Sequence, residues 1–355
     1  MEMREHSIKS SWATWFIVFL VFCALVYVLR SVLLPFVTGI IVGYLLNPLT
    51  DKFEKLKLNR TLATCLVMFL ITIIAVPAII LLINMINEQI GIFIAAVPNY
   101  VTSLIKKLEP ILLKMQEKFP SLETEHIKSY LRSNMSNNLK LLGGIIKSVA
   151  SGGMALINLI SLLLITPVVA FYMLRDWNKF IEKIRELLPQ KSKAAIEEQA
   201  REIDRTLAGF LRGQFSVCVI LGSFYALGLH LCGLDLGLMV GFLAGLISFI
   251  PYVGSISGFI MSMALSFAQF DTWPPFAAVI GVFLVGQFLE GNFLTPKLVG
   301  DRVGLHPVWI MFALLSGGVL LGFLGLMMAV PAAAVIGVLV RHAIANYKQS
   351  KLYLE

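Results

Sequence analysis

The sequence is poor in charged residues and lacks the short motifs that hold nucleotides or catalytic metals. Only 14% of its 355 residues are Asp, Glu, Lys or Arg. It contains no Walker A sequence, no HExxH pair, no Gly-x-Ser-x-Gly elbow and no glycine-rich dinucleotide turn between a strand and a helix. These absences argue against an enzyme and against ATP-driven transport by this chain alone. We therefore predict no catalytic residue, no cofactor and no metal site.

Cysteine is also scarce, and charge of neither sign is concentrated in one place. The four cysteines lie singly inside apolar blocks, without a Cys-x-x-Cys pair or a histidine cluster, which is typical of packing residues. The net charge of +8 is spread over the connections between apolar blocks, with acidic residues interleaved. This pattern indicates residues that orient a membrane chain, and we expect no nucleic-acid partner.

Long hydrophobic blocks are what the chain does contain. Hydrophobic residues make up 58% of the sequence, and a spanning helix needs about 20 predominantly apolar residues. Blocks of suitable size recur at 12–29, 31–50, 61–86, 148–174, 215–232, 236–268, 273–289 and 307–340. The sequence therefore predicts an all-α polytopic membrane protein with about eight membrane segments in a lipid bilayer.

The charges between these blocks predict the side on which each connection lies. Lysines in the loop at 51–60 place that loop and the N-terminus in the cytoplasm. Counting crossings from there predicts scaffold spans at 1–87, an extracytoplasmic helical segment at 88–147, a fourth span at 148–174, cytoplasmic amphipathic helices at 175–214, a transport unit at 215–340 and a cytoplasmic tail at 341–355.

Two of the apolar blocks have the features of hairpins. Block 236–268 is divided around Pro251 and Gly254 into arms of about 15 residues, which are too short for a hydrocarbon core of about 30 Å. Acidic residues flank both of its ends. Block 307–340 has basic residues at both ends and a glycine-rich turn within 316–325. We expect the first hairpin to enter from outside and the second from the cytoplasm, which is the pattern of an inverted repeat.

The polar stretch QFLEGNFLTPKLVG at 287–300 follows one of the most apolar blocks. Glu290 within it needs a partner, hydration or protonation, because an ionised carboxylate near a bilayer core is costly. One interpretation is an interfacial residue that caps a helix or pairs with Lys297. The other is a residue of a solute or ion path, where Gln287 and Asn292 would supply neutral donors and acceptors. Protonation of Glu290 in one state would then couple transport to protons.

The helix breakers and small residues of the hairpins are further candidates for this path or its gate. Pro251 beside Gly254 predicts an unwound hairpin tip. Pro296 follows in the polar stretch, and Gly317 with Gly318 occupies the second hairpin. Glycines also recur at four-residue spacing, which lets helices approach closely, and static packing and a sliding surface are alternative interpretations of this spacing. The sets are Gly237, Gly241 and Gly245, Gly254 and Gly258, Gly318 and Gly322, and Gly39 and Gly43.

Two polar pairs lie where spans meet the predicted cytoplasmic side. Arg175 and Asp176 follow the fourth span, and Arg212 and Gln214 precede the fifth. We interpret these four residues as an interfacial structural cluster that anchors the chain at the headgroup level.

Several segments occur in an order and spacing that match a known family: PFVTGIIVGYLLNPL at 35–49, TPVVAFYMLRDW at 166–177, RGQ at 212–214, FIPYVG at 249–254, EGNFLTPKLVG at 290–300 and VGLHPVWIMFALLSGGVLLGFLGLMMAVPAAA at 303–334. Together they resemble the AI-2E family of autoinducer-2 exporters and PerM-type permeases, over nearly the whole chain.

This resemblance implies a bacterial inner-membrane permease that forms homo-oligomers, with pentamers as the expected form, and moves a small solute. Autoinducer-2 export is one implied activity, and antiport with H+ or Na+ as the coupling ion is an alternative. The family motifs fall here on Pro251, Gly254, Glu290, Asn292, Pro296, Gly300, Pro307, Gly317 and Gly318. A different class of function would be a non-transporting scaffold that recruits partners through 175–212.

Overall fold

The computed structural model describes residues 20–21, 24–118, 153–190, 192–299, 304–350 and 353, and this part of the chain contains no strand. The helices are α1 (Arg30–Lys55), α2 (Arg60–Lys118), α3 (Gly153–Leu187), α4 (Lys193–Leu231), α5 (Gly237–Ile247), α6 (Val253–Gln269), α7 (Trp273–Leu289) with a π-helical continuation at Glu290–Val299, α8 (Pro307–Leu321) and α9 (Phe323–Lys348). The all-α prediction is confirmed.

Five helical segments among the described residues are long and apolar enough to cross a membrane: Val32–Lys55, Arg60–Met85, Lys193–Leu231, Trp273–Val299 and Phe323–Lys348. Shorter apolar helices accompany them at Gly237–Ile247, Val253–Gln269 and Pro307–Leu321. This set confirms a polytopic membrane protein. Most of the predicted first span at 12–29, residues 119–152, and residues 300–303 lie outside the described part of the chain.

By its internal contacts the chain divides into two compact units. One contains Met1–Met68, Ile160–Leu211 and Asp301–Glu355, and the other contains Phe69–Leu159 and Arg212–Gly300. The transport unit expected at 215–340 includes parts of both, and it stays a prediction.

In the first unit, α8 and α9 form an antiparallel helical pair around a single-residue turn. Gly322 joins them with a φ of +62°, a conformation that glycine adopts without strain. The backbones of Gly317 and Gly325 touch across the pair, and a Cβ on Gly318 would lie 3.2 Å from Leu326 Cδ2. The turn predicted within 316–325 is confirmed.

In the second unit, α5 and α6 form the other hairpin, and a glutamine closes its open end. Gln269 Nε2 donates to the Gly233 carbonyl at 2.8 Å and to Asp235 Oδ1 at 3.1 Å, and the Asp235 backbone N–H donates to Gln269 Oε1 at 3.0 Å. The helical path breaks between Ile247 and Val253, and Tyr252 takes a φ of +67° there. The predicted break beside Pro251 is confirmed.

A lysine from α2 caps the free end of this hairpin. Lys107 Nζ donates to the carbonyls of Phe267 and Phe270 at 2.8 and 2.5 Å, and it lies 3.3 Å from Asp271 Oδ1. These carbonyls end α6, where the helix dipole favours a cation. The helical segment after the third span thus contributes a cap to the hairpin.

Replacing Lys107 with methionine should lower the free energy of unfolding by about 1–2 kcal/mol, because two helix-terminal carbonyls lose their charged donor. Lys106→Met is the matched control, since Lys106 is exposed one position away. Thermal unfolding in detergent micelles measures the difference. Equal melting temperatures for the two variants would show that the cap contributes nothing to stability.

Candidate solute and ion path

The helix that carries Glu290 changes its geometry at that residue. α7 ends at Leu289, and the ten residues Glu290–Val299 continue as a π-helix. Such helices are rare and occur frequently at functional sites. Asn292 Nδ2 donates to the Phe288 carbonyl at 3.0 Å and so binds a backbone acceptor at the junction.

The polar stretch at 287–300 is therefore helical as far as Val299. Pro296 lies inside this π-helix, where an α-helical rule would place a break. As a consequence, Glu290 lies within the candidate span Trp273–Val299 rather than after its end.

Glu290 is half-buried and accepts one hydrogen bond, from Gln287 Nε2 at 3.1 Å. Among the described residues it has no ion-pair partner. Lys297 points elsewhere, with its Nζ 5.9 Å from the centre of the Phe293 ring. The suggested Glu290–Lys297 pair is therefore wrong, and the carboxylate of Glu290 is left uncompensated by a cation in the described structure.

Two side chains of α4, Cys218 and Tyr225, lie within electrostatic range of Glu290. Tyr225 is fully buried, and its ring stacks on Phe283 with the ring centres 4.7 Å apart. Gly286 makes this possible, because a Cβ there would overlap the Tyr225 ring. Sequence reasoning missed Tyr225, and the glycine next to Gln287 is the only signal that could have indicated it.

The RGQ motif at 212–214 contacts both the hairpin break and the π-helix. Gln214 is buried, and its Nε2 donates to the Ser248 carbonyl, the C-cap of α5, at 2.6 Å. A Cβ on Gly213 would overlap the Leu298 carbonyl oxygen. Gln214 therefore holds the hairpin tip, and the interfacial role expected for it stays a prediction.

The structure brings most of the sequence-predicted path residues into one compact unit. Gly254 packs directly on the backbone of Ser248, so the α5–α6 break depends on its missing side chain. Pro251 belongs to the same break, and the polar residues Gln287, Glu290 and Asn292, together with Pro296, follow along α7 and its π-helix. Gly317 and Gly318 belong to the other unit, where they line the α8–α9 contact.

Arg175 and Asp176 form a local pair at the end of the predicted fourth span. The Arg175 Nε and Nη2 atoms donate to Asp176 Oδ2 at 2.9 and 2.6 Å, and the guanidinium lies 4.9 Å from the centre of the Tyr172 ring. Hydrogen bonding to Arg175 holds the pKa of the Asp176 carboxyl below its ordinary value. A charged pair beside aromatic rings is consistent with the predicted interfacial role.

Comparison with known proteins agrees with the resemblance seen in the motifs. A family model described as AI-2E family transporter matches residues 16–345. The chain is 28% identical over 325 residues to YrrI of Bacillus subtilis (strain 168), named as a transport protein, covering 89% of this chain and 87% of the relative. It is 24% identical over 314 residues to the permease-named PerM of Escherichia coli (strain K12), covering 88% and 87%. A transport-named protein of Methanothermobacter thermautotrophicus is 26% identical over 300 residues, with 81% of each chain covered.

Proposed function

The chain belongs to the AI-2E family of transporters, and from that premise we propose that it moves a small polar solute along a path that includes Glu290. Autoinducer-2, exported from the cytoplasm, is the solute we propose first. Family membership and the set of membrane-spanning helices favour transport over a scaffold that only recruits partners through 175–212.

The observation that carries this proposal is an unpaired carboxylate at a change of helix geometry inside an apolar span. An ionisable side chain and irregular backbone are each unfavourable in contact with lipid. Both are tolerated only where they are buried in protein or line a water-filled cavity. At Glu290 the two features coincide.

The broken hairpin of α5 and α6 supports a path in the same unit. Transporters of the inverted-repeat kind bind their solute near discontinuous helices, whose exposed backbone groups provide ligands. The break at 248–252, held by Gln214, is such a discontinuity. We propose that α5–α6 and α8–α9 are the oppositely oriented hairpins of such a repeat, in an inner-membrane homo-oligomer with both termini in the cytoplasm.

A second candidate, coupled movement of H+ or Na+, is favoured by the charge at the site. Glu290 has no ion-pair partner among the described residues, and Cys218 and Tyr225 of α4, which lie within electrostatic range of it, carry no positive charge. A carboxylate in these surroundings attracts a proton or a metal cation and disfavours an anionic cargo. We therefore propose that Glu290 binds the coupling ion.

Glu290→Gln should reduce solute flux about tenfold or more and abolish its dependence on pH, because glutamine keeps the shape of the site without a titratable group. Protein reconstituted in proteoliposomes is assayed for autoinducer-2 uptake and efflux, with and without a pH or sodium gradient. Glu198→Gln, at an exposed position in α4, is the matched control and should retain wild-type flux.

The outcomes separate the two candidates. Ion movement that requires no autoinducer-2 and disappears in Glu290→Gln would favour the cation antiporter. Wild-type protein that moves neither autoinducer-2 nor cations would contradict transport, and pH-dependent flux retained in Glu290→Gln would contradict the role of Glu290.

A further inference from the structure

Two buried hydroxyls of α6 form no hydrogen bond in the structure. Ser262 and Ser266 have no exposed surface, and neither Oγ atom has a partner among the described residues. A buried hydroxyl without a partner is unfavourable, because it has given up its hydrogen bonds to water and gained none in exchange. Two such hydroxyls one helical turn apart indicate a partner that binds them in another state of the protein.

Other hydroxyls show that this is not how a helical serine or threonine is usually accommodated. Six of them donate to the carbonyl four residues earlier, which satisfies the donor within its own helix: Thr38, Thr50, Thr64, Ser216, Ser223 and Ser248. Ser262 and Ser266 do not use this local acceptor. Their hydroxyls are therefore left for a partner outside their own helix.

Both serines belong to one buried face of α6. Gly258, Ser262 and Ser266 follow each other at intervals of four residues, which places them on the same side of the helix. This side packs against α5 and α7, since a Cβ on Gly258 would overlap the Ala244 Cβ and would lie 3.4 Å from Phe283 Cε1. Small residues let helices approach closely, but glycine or alanine would serve that purpose equally well. Close packing therefore does not explain the two hydroxyls.

The helices around these hydroxyls carry no charge, which bears on the kind of partner. α5, α6 and α7 contain no Asp, Glu, Lys or Arg. An ion at this face would lack a compensating charge, whereas a neutral solute needs only donors and acceptors, and a serine hydroxyl is both. Side chains four residues apart have Cβ atoms about 5–6 Å apart, about twice the length of an O–H···O bond. One solute hydroxyl can therefore bridge Ser262 and Ser266.

We propose that this face of α6 binds a neutral, hydroxyl-bearing solute through Ser262 and Ser266 when α6 separates from α5 and α7. The structure is the closed form, in which both hydroxyls are covered. Their unsatisfied state disfavours the closed form and so favours opening. The role of the solute as cargo rests on the proposed function, with the coupling ion at Glu290 and the cargo on α6. The opening of the face does not rest on it.

Cysteine labelling tests whether water reaches this face. Ser262→Cys and Ser266→Cys are made in a protein whose four native cysteines are replaced by alanine, and a charged thiosulfonate is added on both sides of proteoliposomes. Both should react at least about tenfold faster than Ile260→Cys, because the reactive thiolate requires water. Ile260 is exposed on the opposite side of α6, where lipid is expected. Autoinducer-2 should slow the reaction at 262 and 266, and Na+ should not.

Alanine at the two positions gives a second measurement that does not depend on labelling. Ser262→Ala combined with Ser266→Ala removes two unpartnered hydroxyls, so the unfolding constant in detergent micelles should fall about fivefold or more. The KM of autoinducer-2 flux should rise about fivefold or more, because the solute loses its hydrogen bonds. Ser223→Ala is the matched control, since Ser223 is exposed and donates to the Val219 carbonyl. It should change neither quantity by more than about twofold.

Reaction of Ser262→Cys and Ser266→Cys no faster than that of Ile260→Cys would overturn the proposal. A raised unfolding constant in the double alanine variant would also overturn it, because the hydroxyls would then have partners in the closed form. Protection by Na+ in place of autoinducer-2 would contradict a neutral solute. Labelling that autoinducer-2 slows, in a protein without measurable flux, would retain the binding face and contradict the proposed transport.

Discussion

Replacing Gly245 with alanine is expected to lower the free energy of unfolding by about 3 kcal/mol or more, while replacing Gly222 should leave it unchanged or raise it slightly. These glycines face each other where α5 packs on α4. A Cβ on Gly245 would overlap the backbone of Gly222, which cannot rotate away. A Cβ on Gly222 would lie 3.5 Å from the Gly245 Cα, an ordinary contact. Alanine is also the better helix former, by up to about 1 kcal/mol.

The two substitutions are therefore each other's control, with the same chemical change on two sides of one contact. Chemical unfolding in detergent micelles measures the difference in stability, and solute flux in proteoliposomes measures function. The result also decides between the two interpretations of the glycine spacing. Static packing requires the loss of stability in Gly245→Ala. A variant of wild-type stability with slowed flux would instead indicate a sliding surface.

The sequence predicts well those features that short segments determine by themselves. The break near Pro251 and the turn at Gly322 both arise from local backbone preferences, since proline removes a donor and glycine permits a positive φ. The apolar blocks likewise predict the helices because burial or lipid exposure requires continuous runs of apolar side chains.

Contacts between distant segments could not be predicted in this way. Gln214 and Ser248 are 34 positions apart, and nothing in the composition of either segment indicates that an amide binds the carbonyl at the hairpin break. The close packing of Gly213 on the backbone of Leu298 could not be predicted from either segment alone. The position of Gln214 beside a charged stretch likewise does not reveal that its side chain is buried in the protein.

The π-helix at Glu290–Val299 is a third kind of feature, since local rules predict its opposite. Polar residues with Gly291 and Pro296 are typical of a loop. Here the helical path continues, and the Asn292 side chain binds the Phe288 carbonyl at the junction. A violation of local preference at this position is consistent with a functional site, where such costs are tolerated.

An arginine outside the proposed path carries the other large expected effect. Arg60 begins α2, and its guanidinium connects three helices. Nε donates to the Leu174 carbonyl at 2.8 Å, Nη1 donates to Asp51 at 2.6 Å and to Glu54 at 2.8 Å, and Nη2 donates to Asn47 Oδ1 at 2.6 Å. The sequence shows this residue only as one of several basic residues in the 51–60 loop.

We expect Arg60→Ala to lower the free energy of unfolding by about 2–3 kcal/mol. Asp51 and Glu54 are 45% and 46% exposed, so solvent screens much of each ion pair. The arginine is only 17% exposed, however, and its bonds to Leu174 and Asn47 are lost together with the pairs. Arg60→Lys should recover about half of the loss, because a lysine keeps the charge but cannot donate from a planar fork.

Arg201→Ala provides the matched control, since Arg201 is exposed and, within the described part of the chain, donates to the Glu197 carbonyl of its own helix. Its unfolding free energy should stay within about 0.5 kcal/mol of wild type. Repeating the measurement at high salt separates the contributions, because screening weakens the ion pairs and leaves the bonds to Leu174 and Asn47. If the stability loss of Arg60→Ala disappears at high salt, Arg60 contributes only through screened surface ion pairs. If the loss persists, the hydrogen bonds of Arg60 to Leu174 and Asn47 hold α1 and α2 against α3.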